Sequence, residues 1–394
     1  MSASNRRDFF RKASAAAGLA AAGLVPRRIT AARETGFRRV MYRMLGSTGF
    51  QVSEVGFGAM NMRDRALVEA AIDYGINYID TAYIYQRGHN EEVIGSALKS
   101  TRDRVFLTTK LPVRDPGKVT EMLATSLKRL QTDHVDLVLV HGADSRKSIL
   151  NEETMKAFDD TRKKGMTRFV GISSHSNQAE ALDLVLESKF WEAALIGYNY
   201  TSPPSVTAAI ERARRQGIAI IGMKNLLTSQ WPPSPLKDMR EDGSGKLSAA
   251  QALFKWVLND RYVDTIVPGI TSFEQLDEDA ALMGMKMSFE DKSELRRYGE
   301  LIRGRYCSGV AGCTECFGQC PRGVMVNELN RCLMYAYGYG DMELAHENYN
   351  ELPASTRVEV CMNCDECMVQ CAHGIDINER IQQAKALFAK EIIT

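Results

Sequence analysis

Cysteine is missing from the first 306 of the 394 residues, although nine cysteines follow in the remainder. Long apolar runs are also missing: beyond the N-terminus no stretch of about 18 apolar residues occurs, so the body of the chain lacks a membrane-spanning segment. Neither sign of charge is in excess, because 50 Lys and Arg balance 49 Asp and Glu. The net charge therefore gives no electrostatic reason to expect nucleic-acid binding. The remaining composition predicts a globular chain with one large domain and a smaller one.

A basic segment opens the chain. Arg6 and Arg7 precede two phenylalanines and a weakly apolar run rich in Ala, Gly and Leu. This arrangement resembles a twin-arginine export signal over residues 1–32, with small residues near Ala32 suited to cleavage, and a flexible basic helix is the alternative. The resemblance implies export to the periplasm or another extracytoplasmic compartment, with the protein already folded and loaded with its cofactor.

Short β-branched runs alternate with amphipathic helical stretches from residue 51 onward. The predicted strands are 53–59, 76–82, 104–110, 134–141, 167–173, 193–199, 218–224 and 264–270. Eight strand-and-helix units with nearly continuous apolar strands predict an α/β fold, a closed (β/α)8 TIM barrel. A doubly wound open sheet is the alternative, but no GxGxxG follows the first strand.

Two connections divide the chain further. Residues 225–246, rich in Pro, Ser and Gly, follow the seventh predicted strand and are interpreted as a substrate lid, with a disordered insertion as the alternative. A predicted helix at 289–305 leads out of the barrel. We therefore predict a barrel over 42–303 and a small, mainly helical domain over 304–394.

The predicted strands end in polar side chains. In strand order these are Asp80, Lys110, His141, the pair Ser173 and Ser174, Asn199, and Lys224. Because the C-terminal ends of barrel strands meet at one mouth, we expect these side chains to form an active site there. Asp80 and Lys110 taken alone could equally be a structural ion pair.

Four stretches resemble the aldo-keto reductases: "YIDTAYIYQRGHNEEVIGSAL", "FLTTK", "VDLVLVH" and "GISS". The resemblance covers 42 to about 285 and places the family's catalytic tetrad on Asp80, Tyr85, Lys110 and His141. Tyr83 lies close by, but the family spacing from the aspartate selects Tyr85. The implied reaction is a hydride transfer between a nicotinamide and a carbonyl or alcohol carbon.

The tetrad residues have complementary chemistry. An ammonium at Lys110 favours the phenolate of Tyr85 and so lowers a pKa that is otherwise near ~10. Asp80 would hold the lysine, and His141 would direct a donor at the substrate carbonyl. Tyr85 is therefore predicted to give a proton to the alkoxide, or to accept one in the reverse reaction.

The resemblance also implies a cofactor site that departs from the family pattern. The family's Ser-Asn and Gln positions correspond here to Ser173, Ser174 and Gly197, with Asn199 and Lys224 nearby. No Lys or Arg lies between Val263 and Met285, where the family often contacts a 2′-phosphate, so NADP and NAD both stay open. The predicted adenosine-side contacts are Ser272, Gln275, Glu278 and Asp279.

The C-terminal cysteines form two sets. The stretch 361–371 has the spacing C-x2-C-x2-C-x3-C of bacterial ferredoxins, and an earlier set precedes Pro321. The candidate metal ligands are Cys307, Cys313, Cys316 and Cys320 in the first set and Cys361, Cys364, Cys367 and Cys371 in the second. With crossed ligation they would hold two 4Fe–4S clusters, Cys320 joining the second set and Cys371 the first, and Cys332 would be left over.

Two alternatives to the clusters stay open. Four-thiolate zinc sites usually show two CxxC pairs, and disulfides suit the oxidising compartment predicted by the N-terminus. Three cysteines at x2 spacing disfavour zinc, and an odd count of nine in helical sequence disfavours a disulfide scaffold. The chain also resembles an aldo-keto reductase subgroup with a C-terminal ferredoxin-like domain.

The predicted function is that of an exported, nicotinamide-dependent oxidoreductase of aldo-keto reductase type. Its substrate would be a small carbonyl compound or alcohol, and its clusters would be structural or would exchange electrons with a partner protein. Hydride moves two electrons together and clusters move one at a time, and no flavin motif is present to separate them. The alternatives are an electron-transfer protein with a non-catalytic barrel, or a sugar-modifying enzyme with a tightly bound nicotinamide.

Overall fold

The computed structural model describes residues 40–226, 247–302, 304–338, 340–361, 364 and 366–389. The predicted export signal at 1–32 and residues 227–246 of the predicted lid lie outside these ranges. From Glu34 onward the chain forms one compact unit. Within the described ranges, no helix has the length and apolar character needed to cross a membrane.

The strands form a short hairpin and a closed barrel. The hairpin pairs β1 (Tyr42–Met44) and β2 (Gln51–Ser53) antiparallel. The barrel strands are β3 (Phe57–Gly58), β4 (Tyr78–Asp80), β5 (Phe106–Leu111), β6 (Val135–Val140), β7 (Thr167–Ser174), β8 (Ala193–Gly197), β9 (Ala219–Met223) and β10 (Thr265–Ile266). They pair in parallel in chain order, and all eight overlap the strands predicted from the sequence.

The last barrel strand closes onto the first. The amide of Gly56 donates to Ile266 O at 2.8 Å, and that of Gly58 donates to Pro268 O at 2.8 Å. A Cβ atom on Gly58 would lie only 2.6 Å from Pro268 O, so closure at this point requires glycine. The closed (β/α)8 barrel is thus confirmed, and the open doubly wound sheet is wrong.

Helices surround the barrel and continue beyond it. Around the barrel lie α1 (Arg65–Asp73), α2 (His89–Leu98), α3 (Val119–Leu130), α4 (Arg146–Ile149), α5 (Glu152–Lys163), α6 (Gln178–Ser188), α7 (Pro204–Arg215), α8 (Ala249–Leu258), α9 (Phe273–Ala281) and α10 (Phe289–Ile302). The cysteine-rich segment contains α11 (Val326–Leu333), a π-helix (Met334–Gly338), α12 (Met342–Glu351) and α13 (Ile377–Phe388).

Burial on both faces explains the apolar strands. Every residue of β6 is buried, because one face meets the surrounding helices and the other fills the barrel. The hairpin contributes Leu45 and Val52 to the interior cluster, and Phe50 of its turn contacts Phe106 with ring centroids 5.4 Å apart. These contacts fill the N-terminal end of the barrel interior, and the predicted site lies at the opposite end, where the strands terminate.

The cysteine-rich segment has its own hydrophobic cluster, which spans residues 324–388. A 3-10 turn (Ser308–Ala311) packs on the barrel mouth, where Gln178 Nε2 donates to Val310 O at 3.0 Å. At Gly197, the last residue of β8, a Cβ atom would collide with Val310 O. The segment therefore packs on the barrel end that carries the predicted site. A ferredoxin-like fold for it stays a prediction.

Candidate active site

Three neighbouring strands bring the predicted tetrad together. Asp80 ends β4, Lys110 lies in β5, and His141 directly follows β6. The Lys110 ammonium lies 2.5 Å from Asp80 Oδ2, donates to Thr81 O at 2.7 Å, and lies 3.2 Å from Tyr85 Oη. Lys110 is only 1% exposed, and a charge so deeply buried is stable only when it is paired in this way.

The turn after β4 separates the two candidate tyrosines. Tyr85 begins a 3-10 turn whose next two residues, Gln86 and Arg87, have φ values of 50° and 54°. Non-glycine residues in this region are strained, and the Gln86 side chain holds the turn by donating to Met62 O at 2.8 Å. Tyr83 instead lies under the Arg129 guanidinium, 4.6 Å from ring centroid to Cζ. Tyr85 is thus the tyrosine beside the buried lysine.

Burial changes the predicted electrostatics of the tetrad. It lowers the pKa of Lys110, but Asp80 and Tyr85 outweigh it, so the net pKa is raised and the amine stays charged. Burial raises the pKa of Tyr85, and Lys110 opposes that effect with the predicted sign without overcoming it. The predicted effect of the lysine on the pKa of Tyr85 is thus present, but burial, which sequence reasoning did not weigh, is the larger effect. The phenol is protonated at neutral pH and suited to donate.

His141 is a neutral imidazole beside the phenol. Its ring centroid lies 6.0 Å from that of Tyr85, at an interplanar angle of 83°. Burial, and then the charges of Lys110, Arg331 and Lys224, lower its pKa to about 3. Its Nδ1 atom is buried and has no hydrogen-bond partner among the described residues, which suits a group that contacts a ligand.

Sequence reasoning missed a second histidine, His175, two residues beyond Ser173. Its ring centroid lies 5.7 Å from that of His141, and burial lowers its pKa well below the usual value. Its amide and the Ser174 hydroxyl donate to Asp144 Oδ1 at 2.5 and 2.8 Å. The "GISSHS" stretch could have indicated it, but a single histidine beyond the matched motif carries little weight.

The predicted nicotinamide-side residues have different surroundings. The Ser173 hydroxyl is buried without a hydrogen-bond partner among the described residues, as is Asn225 Oδ1. Asn199 is occupied, because its Nδ2 donates to Lys224 O at 3.0 Å and its Oδ1 accepts from Thr201 N at 3.0 Å. The Lys224 ammonium donates to Tyr335 Oη at 2.9 Å.

The predicted adenosine-side residues lie at and near the start of α9. Ser272 caps the helix by accepting from Gln275 N at 3.3 Å, and Gln275 Oε1 accepts from Thr271 N at 2.8 Å. The Glu278 carboxylate accepts from the Ser248 hydroxyl. Asp279 is buried, and that burial, followed by the charge of Glu278, raises its pKa to about 8.

A cavity of about 660 Å³ lies between the barrel mouth and the cysteine-rich segment. Tyr85 and His141 line the barrel side, and Glu328, Arg331 and Tyr335 line the opposite side. These last three residues were not predicted, because on the sequence they lie in an ordinary helical stretch more than 180 residues away from His141. The cysteine-rich segment is thus a wall of the candidate active site.

The structure brings the cysteines together across the two motifs. Burial, and then the neighbouring thiols of Cys316, Cys313 and Cys371, raise the pKa of Cys307 to about 12. The same four cysteines line one small cavity of about 20 Å³. Two of these sulfur atoms accept hydrogen bonds from backbone amides. Gly309 N donates to Cys307 Sγ at 3.4 Å, and His373 N donates to Cys371 Sγ at 3.4 Å.

The second set of thiols forms around Cys361. Burial and then the neighbouring thiols, among them Cys320, Cys364 and Cys367, raise the pKa of Cys361. All nine cysteines lie within the described ranges and none forms a disulfide. Within the same ranges, no group of three or more His, Cys, Asp or Glu side chains could hold a metal ion. The geometry therefore gives no support to a zinc site, to a disulfide scaffold or to the predicted cluster ligation, and the two clusters stay a prediction.

The comparisons with known proteins agree with this barrel and its mouth. Residues 45–231 match the model of the Aldo/keto reductase family. An uncharacterized oxidoreductase of Bacillus subtilis, YqkF, is 39% identical over 149 residues, which are 34% of this chain and 48% of that protein. Methylglyoxal reductase DkgB of Escherichia coli O157:H7 is 25% identical over 255 residues, 61% of this chain and 90% of that protein.

A solved structure matches the same part of the chain. Aldo-keto reductase AKR11C1 of Bacillus halodurans, in its holo form, has a TM-score of 0.58 and 26% identity, covering 66% of this chain and 96% of that one. The match to YqkF spans about half the length of that relative, whereas the matches to DkgB and AKR11C1 span nearly their whole length. The family match itself ends at residue 231, well before the cysteines.

Proposed function

We propose that this chain, whose residues 45–231 match the model of the Aldo/keto reductase family, is an oxidoreductase that interconverts a small carbonyl compound and its alcohol. The observation that carries the proposal is the buried lysine that contacts both an aspartate and a tyrosine. Lys110 lies 2.5 Å from Asp80 Oδ2 and 3.2 Å from Tyr85 Oη, at a cavity large enough for a small substrate.

Each tetrad residue then has one task. The protonated phenol of Tyr85 gives its proton to the substrate oxygen as that oxygen becomes an alkoxide. Lys110 stabilises the phenolate that remains, and Asp80 fixes the ammonium in position. His141 stays neutral, so a ring N–H can donate to the same substrate oxygen without placing a second positive charge there.

We propose NADP(H) or NAD(H) as the cofactor, as the match to that family implies. When bound, the nicotinamide supplies or accepts the hydride, which no side chain can do. Unsatisfied polar atoms at the strand ends fit such a group, because Ser173 Oγ and Asn225 Oδ1 are buried without partners among the described residues. Residues 263–285 contain no Lys or Arg for a 2′-phosphate, so direct titration with NADPH and NADH decides between the two forms.

We also propose two 4Fe–4S clusters in the cysteine-rich segment. The support is the crossed grouping of thiols, with Cys371 among the first set and Cys320 among the second. Among the described residues no group of three or more His, Cys, Asp or Glu side chains is placed to hold a metal ion, so iron analysis of the purified protein decides this proposal. When bound, the clusters would stabilise the segment or exchange single electrons with a partner protein.

Export remains a proposal as well. The paired Arg6 and Arg7 ahead of a weakly apolar run support a twin-arginine signal and a periplasmic location. A cofactor inserted in the cytoplasm would be carried across with the folded chain.

The catalytic proposal is tested by a pair of tyrosine variants. Tyr85→Phe removes the proton donor and should lower kcat for NADPH-dependent reduction of methylglyoxal by about 100-fold or more while leaving cofactor affinity unchanged. Tyr83→Phe is the matched control, because the Tyr83 ring packs under Arg129 and not against Lys110. A crippled Tyr83→Phe together with a mild Tyr85→Phe contradicts the assignment.

A further inference from the structure

A second tyrosine and lysine pair lines the same cavity, with the lysine at the end of β9 and the tyrosine in the cysteine-rich segment. Tyr335 Oη accepts a hydrogen bond from Lys224 Nζ at 2.9 Å, and that ammonium lies 5.0 Å from the ring centroid. The Arg331 guanidinium lies 5.7 Å from the same centroid. Tyr335 and Tyr85 line the same cavity and are close enough that the charge of one affects the pKa of the other.

The backbone around this pair is unusual on both sides. Lys224 has a φ of 54°, a left-handed conformation that costs a lysine roughly 1 kcal/mol or more, and Asn199 Nδ2 holds its carbonyl at 3.0 Å. Tyr335 lies in the π-helix Met334–Gly338, and π-helical turns inside helices are frequent at functional sites. The hydrogen bond between Lys224 and Tyr335 therefore joins an unfavourable backbone conformation in the barrel to one in the cysteine-rich segment.

The surroundings favour the phenolate of Tyr335. Burial raises the pKa of Tyr335, but Lys224 and Arg331 outweigh it, and the net pKa is lowered. This is the reverse of Tyr85, whose pKa burial raises despite Lys110. One cavity therefore contains a phenol suited to donate a proton and a phenol suited to accept one.

The same wall is rich in polar groups. Arg331 Nη1 donates to Asn348 Oδ1 at 2.6 Å, and Arg331 Nε donates to Glu328 Oε2 at 2.8 Å. All of these side chains line the cavity. A wall of carboxylate, amide and guanidinium groups provides donors and acceptors for a substrate with several hydroxyls.

We propose that Tyr335 is a second proton-transfer residue of this active site, and that the substrate is an α-hydroxy carbonyl compound of the sugar class. The inference rests on the proposed function, because the carbonyl is the one that Tyr85 and His141 bind. The Tyr335 phenolate takes the proton from the carbon next to that carbonyl. The C–H electron pair becomes the C=C bond of an enediolate, and the carbonyl π pair moves to the oxygen beside Tyr85. Return of a proton from Tyr335 reverses the step, so no oxidant or reductant is consumed.

Exchange with solvent deuterium tests the step directly. Full-length protein is incubated with dihydroxyacetone in D2O, and loss of the CH2 signal is followed by proton NMR against an enzyme-free sample. NADPH oxidation by the same ketone is measured in parallel. The wild type should catalyse exchange, and Tyr335→Phe should slow exchange by about 10-fold or more and by a clearly larger factor than it slows reduction.

Tyr337→Phe is the matched control for the tyrosine variant. Tyr337 lies two residues away in the same π-helix and is 40% exposed, so its loss should change neither rate. Thermal melting shows whether Tyr335→Phe is folded. Exchange that persists unchanged in folded Tyr335→Phe overturns the inference. Equal loss of exchange and reduction also overturns it, because that result assigns Tyr335 a merely structural role.

The Lys224→Met variant keeps the Tyr335 phenol and gives a second readout. Without the ammonium, Tyr335 should ionise only at higher pH, so exchange should fall at pH 7 and recover as the pH rises toward ~10. The other ionisable groups that line the cavity are Asp80, Tyr85, Lys110, Arg114, His141, Asp144, His175, Glu328, Arg331 and Glu351. Lys224 also lowers the pKa of His141 and of His175, so Lys224→Met combined with Tyr335→Phe gives the part of the profile that does not come from the phenol. An unshifted pH profile contradicts the role of the pair.

The two proposals fail in different ways. Exchange without oxidation of either NADPH or NADH leaves the proton transfer standing and refutes the hydride transfer. NADPH oxidation without exchange in the wild type refutes the role of Tyr335 and leaves the reductase standing. Absence of exchange in the wild type overturns the inference whatever the reduction assay shows.

Discussion

At the scale of single residues, burial decides which groups of the active site carry charge. Lys110 keeps its ammonium because Asp80 lies 2.5 Å away, whereas His141 loses its proton because no carboxylate compensates for its burial. The Tyr85 phenol, close to a single ammonium, keeps its proton. The charges at neutral pH are therefore those that the proposed proton donation by Tyr85 requires, without any change of protonation before a substrate binds.

A flat pH profile follows from these charges. The pKa of His141 lies at about 3 and that of Tyr85 is raised above its ordinary value, so neither group titrates between pH 5 and pH 9. We expect kcat/KM for NADPH-dependent reduction to vary by less than about 3-fold over that range. A break near pH 6.5 that disappears in His141→Gln would show instead that the imidazole ionises in the working enzyme.

At the scale of secondary-structure elements, helix α9 separates accessible polar side chains from a buried carboxyl group. Ser272, Gln275 and Glu278 lie on its exposed or half-buried surface, whereas Asp279 turns inward and is 5% exposed. All four were predicted as adenosine-side contacts, and periodicity alone cannot say which of them the helix buries. The burial of Asp279 has a measurable consequence for stability.

Asp279 should make the protein less stable as the pH rises. Its folded pKa of about 8 lies above the unfolded value near ~3.9, so its contribution is full below about pH 4 and is lost as the pH rises toward 8, by up to ~1.4 kcal/mol per pH unit. Asp279→Asn should therefore raise the Tm by at least about 2 °C at pH 8 and much less at pH 5. Glu274→Gln, on the exposed surface of α9, is the control for lost charge. An equal gain at both pH values would contradict the burial argument.

A second prediction at this scale concerns the iron content of the cysteine-rich segment. Two crossed sets of four thiols should hold about eight irons per chain after anaerobic purification. Cys307→Ser should remove or destabilise one cluster, because its thiol lies with those of Cys313, Cys316 and Cys371. Cys332→Ser is the matched control, since that thiol is buried in α11. Zinc in place of iron would refute the clusters, and four irons unaffected by Cys307→Ser would leave only one.

At the scale of the whole molecule, two segments far apart in sequence share one cavity. The barrel supplies the tetrad, and the cysteine-rich segment supplies Glu328, Arg331 and Tyr335. The contact at Val310 seats that segment on the barrel mouth. Removal of the proposed clusters should therefore disturb substrate binding as well as local stability, a link between the two proposed cofactors that needs no electron transfer.

Export is the prediction that concerns the chain as a whole. Arg6→Lys combined with Arg7→Lys should leave a folded protein in the cytoplasm, because the paired guanidinium groups are the feature that the export signal depends on. Fractionation of cells with an antibody against the barrel measures the distribution. Lys12→Arg, a change elsewhere in the same segment, is the control. Periplasmic protein from the double variant would contradict the export signal.

The sequence by itself determined the barrel and the tetrad, whereas only the tertiary structure decided what surrounds them. Strands buried on both faces must be almost continuously apolar, and Tyr85 lies a fixed five residues from Asp80, so both leave a local pattern in the sequence. Lys224 and Tyr335 are 111 residues apart, and no local pattern predicts that they meet. The net direction of the pKa of Tyr85 also depends on how completely the chain excludes water from the cavity, which is a property of the packed molecule.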